Sequence, residues 1–215
     1  MYEAAYSAGA TNGTWSTAYA NVLADVEFLL PLAQKSNLQR HMGIAKTIKA
    51  MVLMDLVDTY GSVPFTEALN ASNFSPKTDD GPSIYAAALK LLDEASVHFT
   101  ATTSSGTPND YFYARNYTRW NKLVNTLKLR YYLNTRLVNA DASKSAINAL
   151  ISANALIGTG DDEVGSEVTG ISRSRELHNN PTEFNGVLTR RFHAAMRIFL
   201  GFGRALGFGV ISPAA

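Results

Sequence analysis

The chain has 215 residues, 46% hydrophobic and only 17% charged, with a net charge of +1. That is enough length for one good-sized domain, and the low charge argues against disorder. Balanced signs without a long basic run exclude the electrostatic footprint of a nucleic-acid binder.

Residues 1–14 are small and polar, with an Asn12-Gly13 turn signal. Met1-Tyr2-Glu3 lacks the basic region and apolar core of a signal peptide. Trp15, Ala18, Tyr19, Val22, Val26 and Leu29 then fall on one helical face and predict a first helix over about 15–35. Thr14 is its expected N-cap, and Pro31 with Ser36-Asn37 marks its end. The second predicted helix, about 39–60, is the most apolar segment. Ile44, Ile48, Met51, Val52, Leu56 and Tyr60 line one face, and Leu53, Met54 and Val57 widen it. Such a helix should be buried around most of its circumference. Gly61 suits the residue just past its end, and Pro64 blocks continuation. A loop of about twenty residues holding Pro76, Gly81 and Pro82 follows, a length often tied to function.

A third helix begins near Ser83, with Ile84, Ala88, Leu91, Leu92, Ala95 and Phe99 as its stripe. After the Thr/Ser/Gly segment 100–108, a fourth carries Trp120, Leu123, Val124, Leu127 and Tyr131. Val138 is a further candidate for that stripe, and Lys122, Lys128 and Arg130 lie off it. A fifth helix, about 141–154, opens on Asp141 as N-cap and shows Ile147, Leu150 and Ile151. After Asn154 the periodicity fails, leaving at most a short helix near 190–200 and poor order beyond it. No stretch approaches the apolar length of a membrane span, so the chain reads as soluble. The expected fold class is all-α: antiparallel helical hairpins with long inter-helix loops, stacked as in tetratricopeptide-like arrays without their regular period. Residues 1–160 form the expected scaffold domain and 161–215 an irregular C-terminal segment.

Cysteine is absent, which removes disulfides, thiolate metal sites and thiol nucleophiles from these residues. The sequence also holds no nucleophile elbow, phosphate loop, zinc-protease motif or dinucleotide fingerprint. His41, His98, His178 and His193 are scattered and read as ordinary surface histidines. Asp55 and Asp58 share a helix face at i, i+3. They are either an acid/base pair or the polar edge of a buried helix, pairing Lys or Arg on a neighbour. Asp161-Asp162-Glu163 lacks the alternating ligands of a calcium loop and reads as solvated, so neither metal nor cofactor is expected. Trp15 beside Asn12 is the sort of pair that holds a sugar, the ring stacking on a pyranose face and the amide bonding hydroxyls. Trp15 also fits the core stripe of its helix. Tyr111, Phe112, Tyr113 and Tyr117 form a second aromatic cluster, either a binding platform or the lid of the core.

The ordered combination of these segments resembles one family. Gly43-Ile44-Ala45-Lys46-Thr47-Ile48-Lys49-Ala50, running to Asp55-Leu56-Val57-Asp58-Thr59-Tyr60-Gly61-Ser62-Val63-Pro64-Phe65-Thr66-Glu67-Ala68, is similar to the hallmark helix and exit of SusD/RagB-like proteins. Pro76, Lys77 and Asp79 precede Ile84-Tyr85 and Leu91-Leu92-Asp93-Glu94-Ala95 in the family's order. Trp120, Lys122, Asn125 and Leu127-Lys128-Leu129-Arg130 follow, so the likeness covers about residues 15–160. The resemblance implies a non-enzymatic lipoprotein on the outer face of the Gram-negative outer membrane, built on a tetratricopeptide-like scaffold. It would capture oligosaccharides or other nutrients and deliver them to a SusC-like TonB-dependent transporter. It implies no cofactor, no nucleic acid, and membrane contact only through a lipid anchor outside these residues. Members are usually longer, so the leader with its anchor Cys and most of the C-terminal half are expected to be missing. The tail after about Leu188 does not resemble the family. Asn12, Trp15 and Tyr113 are the expected ligand-binding residues. The alternative function is a helical protein–protein interaction scaffold without glycan binding, and a hydrolase using Asp55 and Asp58 ranks behind both.

Overall fold

The computed structural model describes residues 12–70, 72–110 and 112–158. Its elements are α1 (Asn12–Ser16), a π-helical segment (Thr17–Leu23), α2 (Ala24–Lys35), α3 (Gln39–Tyr60), α4 (Gly81–Thr100), α5 (Tyr117–Thr135) and α6 (Ala140–Ser152). The expected C-terminal segment 161–215, with its short helix near 190–200, lies outside the described residues.

The first predicted helix is a continuous run of α1, the π-helical segment and α2. Thr14 is not its cap. It is buried inside α1, one turn ahead of buried Ala18 and Val22, so the core face starts earlier than the cap signal suggested. Asn12-Gly13 is accordingly helical rather than a turn. Pro31 lies within α2 instead of ending it. It sits on the exposed side, where water can serve the carbonyl that loses its N–H partner.

α3 has the predicted bounds and is the central element, with Ile44, Ile48, Val52, Leu53, Met54 and Leu56 all buried. Its exit turns at Gly61, whose φ of 79° is one that side-chain-bearing residues seldom adopt. The Gly61 N–H bonds the Val57 carbonyl at 2.8 Å and closes the helix. At the other end, Gly43 lets α4 come close: a Cβ there would stand 2.7 Å from the Phe99 ring. Gly43→Ala is therefore expected to displace Phe99 and lower stability by about 1–3 kcal/mol, read as a lower urea midpoint with unchanged m.

α4 begins ahead of Ser83 because Asp80 caps it, its carboxylate accepting from the Ser83 N–H at 3.2 Å. Asn116 caps α5 in the same way, accepting from Arg119 N–H at 3.1 Å. Val138 falls beyond α5 and is exposed, so it is not part of that stripe. α6 starts one residue before Asp141, after Asn139. Asp141 sits instead in the first turn, where its charge still complements the helix dipole.

Short turns at 36–38 and 136–139 join α2 to α3 and α5 to α6, whereas 61–80 and 101–116 are long. Each helix from α2 to α6 packs on the next in chain order, giving the antiparallel, tetratricopeptide-like stack. Arg40 in the first turn of α3 clamps the far end of α4. Its guanidinium donates to the carbonyls of His98 at 3.0 Å, Phe99, and Ala101 at 2.8 Å, and lies over the Tyr117 ring. It thereby satisfies carbonyls that a helix end leaves without partners.

Candidate binding surface

The long connection from α3 to α4 is built, not slack. Val63 and Asp79 exchange both backbone hydrogen bonds, at 3.2 and 2.9 Å. The Asp79 carboxylate also accepts from the N–H groups of Phe65 (2.9 Å) and Thr66 (2.8 Å) and from the Thr66 hydroxyl (2.8 Å). The Thr66 N–H above all, with the Thr66 hydroxyl and the Phe65 N–H, holds that carboxyl below the usual range. Glu67 accepts from the Asn73 amide at 3.0 Å and the Lys77 N–H at 3.1 Å, tying the two limbs of the loop together.

Against the start of this loop stands an aromatic shelf. Trp15 packs on Tyr19, with ring centroids 4.7 Å apart, and meets Tyr60 edge-on at 5.1 Å. Tyr19 lies in the π-helical segment, and its hydroxyl donates to the Pro64 carbonyl at 2.7 Å. Burial first, then the Asp79 carboxylate and Tyr60, pushes that hydroxyl up to about 12, so it stays a protonated donor. Trp15 is 37% exposed: its ring is seated on the two tyrosines and still open to solvent. Asn12 is exposed on the same helix, three residues before Trp15 and hence on its face. The i, i+4 spacing of Trp15 and Tyr19 was readable in the sequence, whereas Tyr60 joins them only through the packing of α3.

Tyr113 is placed differently. Only 3% exposed, it packs edge-on against Trp120 with centroids 5.3 Å apart. Phe112 also meets Trp120, and Tyr117 stacks on Phe99, so the cluster lids the core; Tyr111 lies outside the described residues. Asp110 organises this lid, its carboxylate accepting from three backbone N–H groups and the Trp120 indole.

Asp55 and Asp58 both pair with Arg130 of α5, Asp55 at 2.6 Å, which is the polar-edge arrangement. Tyr85 donates to Asp58 and accepts from Asn134 at 2.8 Å. Burial would lower the Arg130 guanidinium, but the two carboxylates outweigh it and hold the group more firmly charged. Two carboxylates committed to one guanidinium make a structural tie rather than an acid and a base. Arg130, expected off the packing face, thus turns toward α3, drawn by charge that apolar periodicity does not register. Lys46 and Lys128 likewise meet acids of α4, Glu94 and Asp93, each at 2.7 Å.

His41 is not a surface histidine: it is buried in α3, and burial lowers its pKa to about 4. His98 is half-buried, its Nε2 3.0 Å from Lys46 Nζ and its Nδ1 2.7 Å from Gln39 Oε1. The lysine can only donate, so Nε2 accepts and Nδ1–H donates to the glutamine. His178, His193 and the Asp161–Glu163 run lie outside the described residues. Among the described residues no group of three or more acids or histidines could hold a metal ion, and no helix is long and apolar enough to cross a membrane.

Antiparallel helices stacked around one buried central helix, with aromatic rings displayed where that helix exits, define a tetratricopeptide-like scaffold. The chain belongs to the SusD-like family: residues 1–197 match the family described as starch-binding associating with outer membrane. The match reaches past Leu188, where the resemblance was expected to stop. Among solved structures the chain is similar to a chitin-binding protein, at 27% identity and a TM-score of 0.64 over 74% of this chain and 34% of that one. A SusD/RagB family protein from Bacteroides thetaiotaomicron shares the fold at 20% identity and a TM-score of 0.58, over 73% of this chain and 32% of that one. A SusD homologue from Bacteroides uniformis does so at 24% and 0.55, over 65% and 30%. The chain thus spans about a third of the length of these structures, with 34%, 32% and 30% of each covered. No curated protein matches it.

Proposed function

We propose that this chain is the helical part of a surface glycan-binding protein that captures oligosaccharides and delivers them to a SusC-like TonB-dependent transporter. It acts by binding rather than catalysis, at the outer membrane, held there by a lipid anchor outside the chain. Membership of a starch-binding-associated family and the likeness to a chitin-binding protein support the glycan reading.

The observation that carries it is the half-open Trp15 ring on its tyrosine shelf, with the Asn12 amide on the same face. A ring already fixed by two neighbours stacks on a pyranose with little further loss of side-chain freedom. Asn12 then offers a donor and an acceptor to hydroxyls at the sugar's rim. Tyr113 is left out of this proposal because Trp120 covers its ring. Trp15→Ala is expected to weaken binding of chito- or malto-oligosaccharides by about 2 kcal/mol, roughly 30-fold in Kd, with helicity unchanged. Calorimetry on the full-length protein decides it, and an unaltered Kd would assign Trp15 to the scaffold. A protein-binding scaffold without glycan affinity is the second reading, favoured by the exposed Leu69 and Phe74 in the loop between α3 and α4.

A further inference from the structure

Tyr19 is a side chain that Trp15 and the loop between α3 and α4 have in common. It lies in the π-helical segment Thr17–Leu23. A π-helix longer than a single turn is rare, and π-helical turns are frequent at functional sites. Ala18, Val22 and Leu23 of this segment are buried, which seats it in the core and leaves Tyr19 half-buried at the rim. The two parts of the Tyr19 side chain serve two neighbours. Its ring packs on Trp15 with centroids 4.7 Å apart, and its hydroxyl donates to the Pro64 carbonyl at 2.7 Å. Trp15 therefore rests on a ring whose far end is tied to the loop.

The stretch of loop that Tyr19 grips, 63–66, is closed from two other directions. On the far limb, Val63 pairs with the Asp79 backbone, and the Asp79 carboxylate takes the Phe65 and Thr66 N–H groups. From α3, the Lys49 ammonium lies 5.6 Å from the centre of the Phe65 ring while pairing with Glu27 of α2. With the loop closed, the Pro64 carbonyl stands where the Tyr19 hydroxyl needs it. With the loop open, that hydroxyl loses its acceptor and the ring beside Trp15 is free to turn. A sugar stacked on Trp15 favours the Tyr19 position that the closed loop supports. Whatever factor closure adds to sugar affinity, the sugar adds to closure. We propose that Tyr19 is the positioning residue of the glycan shelf, and that through it oligosaccharide binding at Trp15 and closure of 63–66 on Asp79 are one linked equilibrium. This rests on the reading of Trp15 as a glycan-stacking residue.

The test measures amide hydrogen exchange across 61–80 in the full-length protein, with and without saturating chitohexaose or maltohexaose. The Val63, Phe65 and Thr66 amides, far along the loop from Trp15, are expected to exchange about fivefold more slowly with sugar bound. Tyr19→Phe keeps the ring and removes the tie, so Kd should rise about fivefold and the sugar-dependent protection should vanish. Asp79→Asn, which loosens the same stretch from its other side, should weaken binding similarly, and the double variant should be no worse than either single one. Sugar binding that leaves these amides unchanged, or a wild-type Kd for Tyr19→Phe, overturns the linkage and leaves the glycan reading intact. Additive losses in the double variant overturn it equally, since two independent structural defects would add. Should Tyr19→Phe lose the fold, the wild-type amides and Asp79→Asn still decide. If neither oligosaccharide binds the wild type, the glycan reading falls and this proposal with it.

Discussion

Arg130→Ala should lower stability by about 2–4 kcal/mol, a drop in Tm of roughly 10 °C for a domain of this size. The change removes the guanidinium that the geometry places between Asp55 and Asp58. Asp55 is nearly fully buried, so it would keep a charge with little solvent to compensate it. Asp58 and Arg130 are each about a third open to water, which places the loss in the lower part of the range for buried pairs. If uncompensated charge is the cause, adding Asp55→Asn and Asp58→Asn to Arg130→Met should restore most of the stability. Thermal melts of the single and triple variants decide this. A single variant within 0.5 kcal/mol of wild type, the scale of an ordinary surface change, would mean that solvent already screens the pair.

Asp110→Ala should be comparably severe, at about 3 kcal/mol, because one carboxylate serves four donors. Phe112 N–H at 2.9 Å, Tyr113 N–H at 3.1 Å, Arg115 N–H at 3.0 Å and the Trp120 indole at 2.7 Å all converge on it. Each donor left buried and unbonded costs about 1–3 kcal/mol, offset where the loop opens to water. The same carboxylate holds Ala114 and Arg115 at φ of 48° and 68°, two consecutive left-handed residues that would otherwise relax. The near-ultraviolet circular dichroism of Trp120 should weaken with the loss of stability, since its lid of Phe112 and Tyr113 loosens. Retention of the full aromatic signal would show that the lid stands on apolar packing alone.

Helix α3 was legible to the residue because all the cues agreed: a dense apolar face, Gly61 just past its end, and Pro64 behind. The first helix was less so. Thr14 looks like a cap by type, yet it continues the buried face of Ala18 and Val22, and burial outweighed capping preference. Asp141 failed for the opposite reason, since helix starts are set by the whole first turn and its acid is as well placed inside α6 as before it. The candidate surface was half legible. Asn12 and Trp15 stood out as an amide–aromatic pair, but the shelf beneath depends on Tyr60, forty-five residues further on, which no local pattern connects to Trp15. Tyr113 looked as exposed as its aromatic neighbours in sequence, and only the position of Trp120 shows why it is not.

The Arg40 clamp carries a mechanical consequence. It fastens the start of α3 to the end of α4, while Arg130 fastens the last turns of α3 to α5. Three helices are thus bolted at opposite ends, and the 61–80 loop is strung between two of them at the end away from the Arg40 bolt. A pull on that loop therefore loads both helices at once, at the end where the Tyr85 hydroxyl joins α4 to Asp58 of α3.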